Sequence, residues 1–129
     1  MTSITIPDSV TSIGRLAFRD CCSLTSVTIP DGVKTIEFAA FRNCVKLGSI
    51  TIGKGLEAME QSVFQECRAT KMILMSRLLS KTSVKGCLKG SNIRTVVVNV
   101  GSKTANRRCV RKYKKIFTTK NVGRKVRVK

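Results

Sequence analysis

The chain repeats a pattern every 23 residues, and this period constrains the fold more than any other feature of the sequence. Residues 3–10 read SITIPDSV, residues 26–33 read SVTIPDGV, and residues 49–56 follow more loosely as SITIGKGL. A fixed period in this range is typical of solenoid proteins, in which each repeat packs only against its neighbours. A single repeat cannot bury its apolar face alone, so the sequence predicts a stack of coils. Such a stack favours function by binding rather than by catalysis.

Each repeat is predicted to contain one strand, one corner and one return segment. The Ser-Ile-Thr-Ile segments alternate polar and β-branched residues, which predicts a strand with its isoleucines inward and its hydroxyl residues outward. The Pro-Asp pairs at residues 7–8 and 30–31 predict turns. Residues 15–21 are expected to return the chain as a short helical or irregular segment. Three further columns keep the same step, namely Ile13/Ile36/Met59, Phe18/Phe41/Phe64 and Cys21/Cys44/Cys67.

The 23-residue step can be continued beyond the clear repeats, although the signature fades. It predicts units at residues 3–25, 26–48 and 49–71, a degenerate unit at 72–94 and a last strand at 95–100, which together form the solenoid. In this alignment Cys87 takes the phenylalanine position and Gly90 the cysteine position. Met72, Leu74 and Val97 would then face outward, where either the helix of the C-terminal cap would cover them or they would form a contact patch.

Residues 101–129 are predicted to form a basic C-terminal cap made of a helix and a strand. Ser102 or Thr104 can cap a helix at about residues 105–117, because the apolar residues that follow recur at helical spacing. Residues 121–123 predict a turn, and residues 125–129 alternate as a final edge strand whose lysines discourage unwanted pairing. The expected fold class is α/β: a β-rich solenoid with a helix-strand cap.

The net positive charge comes entirely from the second half of the chain. Residues 1–70 contain 7 basic and 7 acidic residues, whereas residues 71–129 contain 18 basic residues and no acidic one. Such a surface attracts anionic polymers without reading a sequence. The candidates for this binding are Arg107, Arg108, Arg111, Lys112, Lys114 and Lys115. The alternative is that the charges only keep the protein soluble.

The outward hydroxyl residues of the first three strands are the candidate protein-binding site. Solenoids often bind partners through the strand face, and here this face would present Ser3, Thr5, Ser26, Thr28, Ser49 and Thr51. The alternative interpretation is that serine and threonine merely suit a solvated β-surface.

Catalytic, metal and cofactor sites are not expected. The chain has no histidine, no glycine-rich phosphate loop, no Gly-x-Ser-x-Gly motif and no pair of Cys-x-x-Cys motifs. The cysteine column is expected to hold free thiols that pack as small apolar groups. Cys109 would have a lowered pKa beside its arginines if it were exposed, but burial on the helix is the favoured interpretation.

The repeat resembles a known family. Residues 24–33 read LTSVTIPDGV and are followed by Ile36, Ala40-Phe41, Asn43-Cys44 and Leu47, a pattern similar to the BspA-like leucine-rich repeat family of bacterial surface proteins. The resemblance covers residues 3–71. The tail at residues 110–117 resembles the Lys-rich module that closes many such proteins.

The resemblance implies a leucine-rich repeat solenoid at the cell surface or outside the cell, with cytoplasm as the alternative location. It implies adhesion to a protein or glycan of a cell surface or matrix and brings no enzymatic residues. Nucleic acid is not an expected partner, and no run of about 18 apolar residues could span a membrane. The chain starts its first repeat after Met1 and Thr2 without a leader or N-terminal cap, so we predict a fragment or a short member of the family. An uncapped first coil would expose Ile4, Ile6, Val10, Ile13, Phe18 and Leu24, which would favour a homo-oligomer.

Overall fold

A computed structural model describes residues 3–129 as a solenoid with two parallel sheets. The main sheet has six strands, which lie in the order in which the chain makes them. They are β1 (Ser3–Ile4), β3 (Ser26–Ile29), β5 (Ser49–Ile52), β7 (Lys71–Leu74), β8 (Thr95–Val98) and β9 (Arg127–Val128). The expected leucine-rich repeat solenoid of coils of about 23 residues is confirmed.

A second sheet, which the sequence reading missed, runs along the other side of the first three coils. Its strands are β2 (Ser12–Ile13), β4 (Thr35–Ile36) and β6 (Ala58–Met59). Each of the first three coils therefore has two strands rather than one. The signal was present in the sequence, because the isoleucine and methionine column marks the inward residue of each short strand, and all three side chains are buried.

Phenylalanine rings form the interior of the first three coils. Phe41 lies between Phe18 and Phe64, with ring centroids 5.1 and 5.6 Å away and nearly parallel planes. The cysteine column runs beside this stack. The thiol of Cys44 donates to the carbonyl of Phe18 over 3.0 Å, and the thiol of Cys67 donates to the carbonyl of Phe41 over 3.1 Å. The second and the third coil are thereby each tied to the preceding coil through their interior side chains.

The return segment uses left-handed backbone twice in each coil. Positive φ values occur at Leu16, Ala39 and Ser62 and again at Asp20, Asn43 and Glu66. In the fourth coil the two positions are Gly86 and Gly90, with φ of 70° and 75°. Gly90 is therefore the equivalent of Glu66 and does not take the cysteine position, as the alignment had placed it.

Cys87 does not take the phenylalanine position either, as a comparison of hydrogen bonds in the third and fourth coils shows. The amide of Ser91 donates to the carbonyl of Leu88, as the amide of Cys67 donates to the carbonyl of Phe64. Leu88 therefore takes the phenylalanine position and Ser91 the cysteine position. The alignment failed by one residue because the fourth coil differs in length from the others.

The register of β7 shows where the period breaks. Ile52 pairs with Leu74, so β7 follows β5 after 22 residues, and Leu74 pairs with Val98, so the next coil has 24. A shift of one residue exchanges the two faces of a strand. Met72 and Leu74 are consequently buried, each at 0% exposure, whereas the prediction had them facing outward. Ile73 takes the outward position, and Val97 faces outward as expected.

The open edge of the first coil is less apolar than the sequence suggested. Ile6, Ile13 and Leu24 are buried, and only Ile4, Val10 and Phe18 are partly exposed. All six side chains belong to the hydrophobic core or pack against it. The expectation that all six would be exposed is wrong.

The cap contains α1 (Lys103–Ile116), α2 (Thr119–Val122) and β9. Ser102 caps α1 by accepting a hydrogen bond from the amide of Ala105, one of the two caps that the sequence offered. The apolar stripe of α1 closes the core, and its buried members are Cys109, Tyr113 and Ile116. The basic residues of α1 therefore remain on its outer surface.

The last coil continues the hydrogen-bond ladder of the solenoid. The amides of Gly86 and Leu88 donate to the carbonyls of Asn121 and Val122 in α2, and β9 pairs in parallel with β8. The Arg124 guanidinium spans this junction by donating to the carbonyls of Ser91 and Ile93, each over 2.6 Å. Within residues 3–129, none of the helices is both long and apolar enough to cross a membrane.

Candidate functional site

The parallel register brings the candidate hydroxyl residues together on one face of the main sheet. We call this surface the hydroxyl face, and it consists of Ser3, Thr5, Ser26, Thr28, Ser49 and Thr51. Strands of a sheet lie about 4.8 Å apart, so its hydroxyl groups form two short rows across three strands. Thr28 and Ser49 are exposed, whereas Ser26 and Thr51 are partly covered.

One of the two rows, which we call the outer row, contains Thr28 and Thr51. At β7 its side chains change from hydroxyl to apolar. Thr28 pairs with Thr51, Thr51 with Ile73, and Ile73 with Val97. Ile73 and Val97 remain partly exposed. The row therefore leads from a hydroxyl surface to an apolar one without leaving the sheet, and it ends beside the cap.

The six basic candidates lie exposed on two flanks of α1. One flank carries Arg107, Arg111 and Lys114, and the other carries Arg108, Lys112 and Lys115. Both follow the same spacing of four and then three residues, so each flank extends about 10 Å along the helix axis. The structure thus arranges the predicted cations as two parallel rows.

A groove separates the first flank of α1 from the sheet. Its volume is about 590 Å³. Val97, Val98 and Val110 line it together with Asn106, and basic side chains surround them: Arg107, Arg111, Lys114 and Lys129. We call it the valine groove. Lys129 was not among the sequence candidates, because only the return of the chain at β9 brings it beside α1.

The opposite flank of α1 borders a different groove. It is lined by Arg108, Arg111, Lys112 and Lys115, with Ile116 as the apolar member. Ile116 is 6% exposed, so this groove offers charge and almost no apolar surface.

The side chain of Lys112 links α1 to the fourth coil of the solenoid. Its ammonium group donates to the carbonyl of Arg77 over 2.8 Å and lies 5.5 Å from the centre of the Tyr113 ring. The Arg77 guanidinium in turn donates to the carbonyl of Val100 over 2.9 Å. Sequence reasoning missed Arg77, which lies in the irregular corner of the fourth coil. These contacts give Lys112 a structural part besides its charge.

Over residues 3–129, no cation of the cap forms an ion pair with a carboxylate side chain. The ion pair found in the part of the chain that the structure describes joins Arg19 to Asp20 over 3.4 Å, in the first coil. Residues 71–129 contain no acidic residue at all. The surface around α1 is therefore positively charged throughout and open to an anionic partner.

Four cysteines are buried, namely Cys44, Cys67, Cys87 and Cys109, whereas Cys21 is partly exposed and Cys22 is exposed. Burial raises the pKa of the Cys109 thiol, so the cationic neighbours do not activate it. Burial also raises the pKa of the Cys87 thiol. The contact with Cys44, followed by burial, raises the pKa of Cys67. Among residues 3–129, no three His, Cys, Asp or Glu side chains are grouped so that they could hold a metal ion.

Comparison with known proteins gave one match. The family model described as a BspA type leucine rich repeat region matches residues 1–116 in 6 copies. No curated protein and no solved structure matches the chain significantly. The matched residues include β1 to β8 and all of α1, and they end before α2 and β9.

Proposed function

Because the chain belongs to the BspA-type leucine-rich repeat family, we propose that it is a noncatalytic surface interaction module that binds a protein through its hydroxyl face. The family is typically one of surface proteins and suggests a repeat module that interacts with other proteins. The finer proposal is adhesion to a protein of a host, of another cell or of the matrix. The location that fits this role is the cell surface or the outside of the cell.

The observation that carries the proposal is the register of the first three strands. Ser26 pairs with Ser49 and Thr28 with Thr51, so equivalent hydroxyl groups lie side by side across the sheet. A hydroxyl group can both donate and accept a hydrogen bond, and β-branched threonine holds its hydroxyl in few rotamers. Such a surface can bind an extended chain or a flat protein surface at little cost in side-chain entropy.

Binding to a panel of purified matrix proteins tests the proposal. Thr28→Glu combined with Ser49→Glu places two charges on the hydroxyl face. Ser23→Glu combined with Val45→Glu is the matched control, because both residues are exposed in the turns that precede β3 and β5. We expect a partner that binds the native chain and the control but not the first variant. Equal binding by both variants, or no binding to any matrix protein, contradicts the proposal.

A second candidate function is binding of an anionic polymer along α1, favoured by the two uncompensated rows of cations. Its chemical targets are cell-wall polymers and acidic glycans, with nucleic acid disfavoured because the single tyrosine is buried and cannot stack on bases. A polymer that contacts six cations should lose about 10³-fold in affinity between about 50 and 200 mM salt. Heparin and duplex DNA are suitable probes, and binding that does not depend on salt would exclude this mode.

A further inference from the structure

We infer that the protein partner presents a short acidic segment with one apolar side chain, and that the valine groove binds this segment. The inference rests on the proposed function. It adds that the binding surface extends from the hydroxyl face to the valine groove, and it names the chemical groups of the partner that bind there. It combines two observations: the outer row of the sheet becomes apolar toward the cap, and basic side chains surround the place where it does so.

The floor of the groove provides the apolar contact. Val97 comes from β8 and Val110 from α1, so two different elements contribute a partly exposed valine to one cleft. Ile73 extends this surface toward β5, because it is the cross-strand neighbour of Val97. One buried aliphatic side chain of a partner would gain about 1.5 to 3 kcal/mol on full burial. The volume of the cleft is sufficient for such a side chain.

The rim of the groove provides the electrostatic contact. Arg107, Arg111 and Lys114 follow one flank of α1, and Lys129, which directly follows β9, also lines the cleft. Arginine pairs with carboxylates through two parallel hydrogen bonds, which fixes orientation as well as affinity. A segment with carboxylates on both sides of its apolar residue would satisfy both walls of the groove.

The apolar floor favours this occupant over the other anions that a basic surface attracts. A polysaccharide or a polyphosphate would leave the valines uncovered and would bind either flank of α1 equally. A membrane would need an apolar helix face to insert, but Cys109, Tyr113 and Ile116 are buried against the solenoid. Only an acidic chain with an apolar side chain uses both features of the valine groove.

The groove is continuous with the hydroxyl face. The row that begins at Thr28 reaches Val97 through Thr51 and Ile73 without a break in strand pairing. These four strands span about 15 Å at the usual strand spacing. A partner lying across the strands would therefore make polar contacts on the first coils and insert its apolar residue near the cap.

Two synthetic peptides test the inference directly. Both alternate Asp and Glu over seven residues, but one has Leu and the other Ala at its centre. Fluorescence anisotropy measures their affinities for the full chain. We expect the Leu peptide to bind about fivefold more tightly, since its side chain is partly buried on the valines. We expect this preference to persist as salt is raised, although both affinities fall.

Val97→Thr tests the floor without disturbing the fold. Threonine is the residue that the same row carries in the first three coils and is close to valine in shape. We expect the variant to prefer the Leu peptide less strongly than the native chain does, because Val110 remains in the floor while Val97 is lost. A preference for Leu that this substitution leaves unchanged overturns the placement of the apolar residue on Val97.

Two matched double variants test the rim. Arg107→Gln with Lys114→Gln removes two cations of the valine groove, whereas Arg108→Gln with Lys115→Gln removes the same two residue types from the opposite flank. We expect the first pair to weaken binding of the Leu peptide about tenfold and the second pair to change it about twofold or less. Equal losses would mean general attraction to a basic surface and would overturn the inference.

The outcomes separate this inference from the proposed function. Failure of both peptides to bind at millimolar concentration overturns the inference, while binding of a matrix protein that depends on the hydroxyl face would still support the proposed function. Conversely, specific peptide binding by a chain that binds no matrix protein would support the groove and contradict the proposed function. Circular dichroism of each variant confirms that the fold is retained.

Discussion

Substitution of Tyr113 by phenylalanine should show how strongly the cap is joined to the solenoid. Tyr113 is completely buried, and its hydroxyl group donates to the carbonyl of Ser76 over 2.5 Å. The same oxygen accepts a hydrogen bond from the amide of Leu79 over 3.4 Å. Both partners belong to the corner of the fourth coil, so this single side chain links α1 to the solenoid.

The expected loss follows from the groups that are left behind. Phenylalanine keeps the ring and its edge-to-face contact with Phe117, whose centroid is 5.6 Å away. The buried carbonyl of Ser76 and amide of Leu79 both lose their partner. An unsatisfied buried polar group costs about 1–3 kcal/mol, and because the amide contact is long we expect a total loss of about 2 kcal/mol.

Equilibrium unfolding in urea measures this loss. With a slope of about 1.5 kcal/mol/M, a loss of about 2 kcal/mol lowers the midpoint by about 1.3 M. Lys112→Met is the control, because it removes a neighbouring but exposed contact of the cap, and its effect should stay below about 1 kcal/mol. A change of less than about 0.5 kcal/mol for Tyr113→Phe would refute the argument that these hydrogen bonds hold the cap.

Three further substitutions or conditions test the packing of the coils. Phe41→Leu removes two stacked ring pairs and should cost about 2 kcal/mol in urea unfolding, whereas a cost below about 0.5 kcal/mol would show that the stack adds nothing. Gly55→Ala would place a methyl group on the carbonyl oxygen of Asp31 and should cost more than about 2 kcal/mol in thermal unfolding; unchanged stability would mean that neighbouring coils can separate easily. Stability should fall as pH rises above 9.0, the ordinary thiol pKa, because buried Cys87 keeps its proton in the folded state and loses it on unfolding. The fall should be smaller in Cys87→Ala, as measured by urea unfolding at several pH values, and an identical fall would assign it to other groups.

The stacking of equivalent residues in the first three coils could be predicted from the sequence, but the register of the fourth coil could not. The repeated Ser-Ile-Thr-Ile segments and the phenylalanine and cysteine columns each mark one place in the coil, and the structure stacks them as expected. The sequence at residues 71–75 has apolar side chains in both phases, so the pattern could not decide whether Met72 or Ile73 faces the core. Strand pairing decides it, because the turn before β7 is one residue shorter.

Two of the candidate sites could be predicted from the sequence and one could not. The hydroxyl face and the helical cations could be named from sequence, since strand alternation and helical spacing are local properties. The valine groove could not, because its walls come from β8, α1 and the final residue Lys129, which are separated along the chain. Of its apolar floor, the sequence predicted only the outward position of Val97, because the helical spacing does not distinguish Val110 from the buried apolar residues of α1.

By itself, the sequence determined the period, the inward and outward residues of the first three coils, the capping helix and the separation of charge between the two halves. All of these follow from spacing along the chain. Only the tertiary structure decided the second sheet, the change of register at β7 and the meeting of Val97, Val110 and Lys129 in one groove. These features depend on how coils of unequal length pack against each other. Backbone hydrogen bonds and core contacts form between neighbouring coils and not within one repeat, so the sequence of one repeat does not specify them.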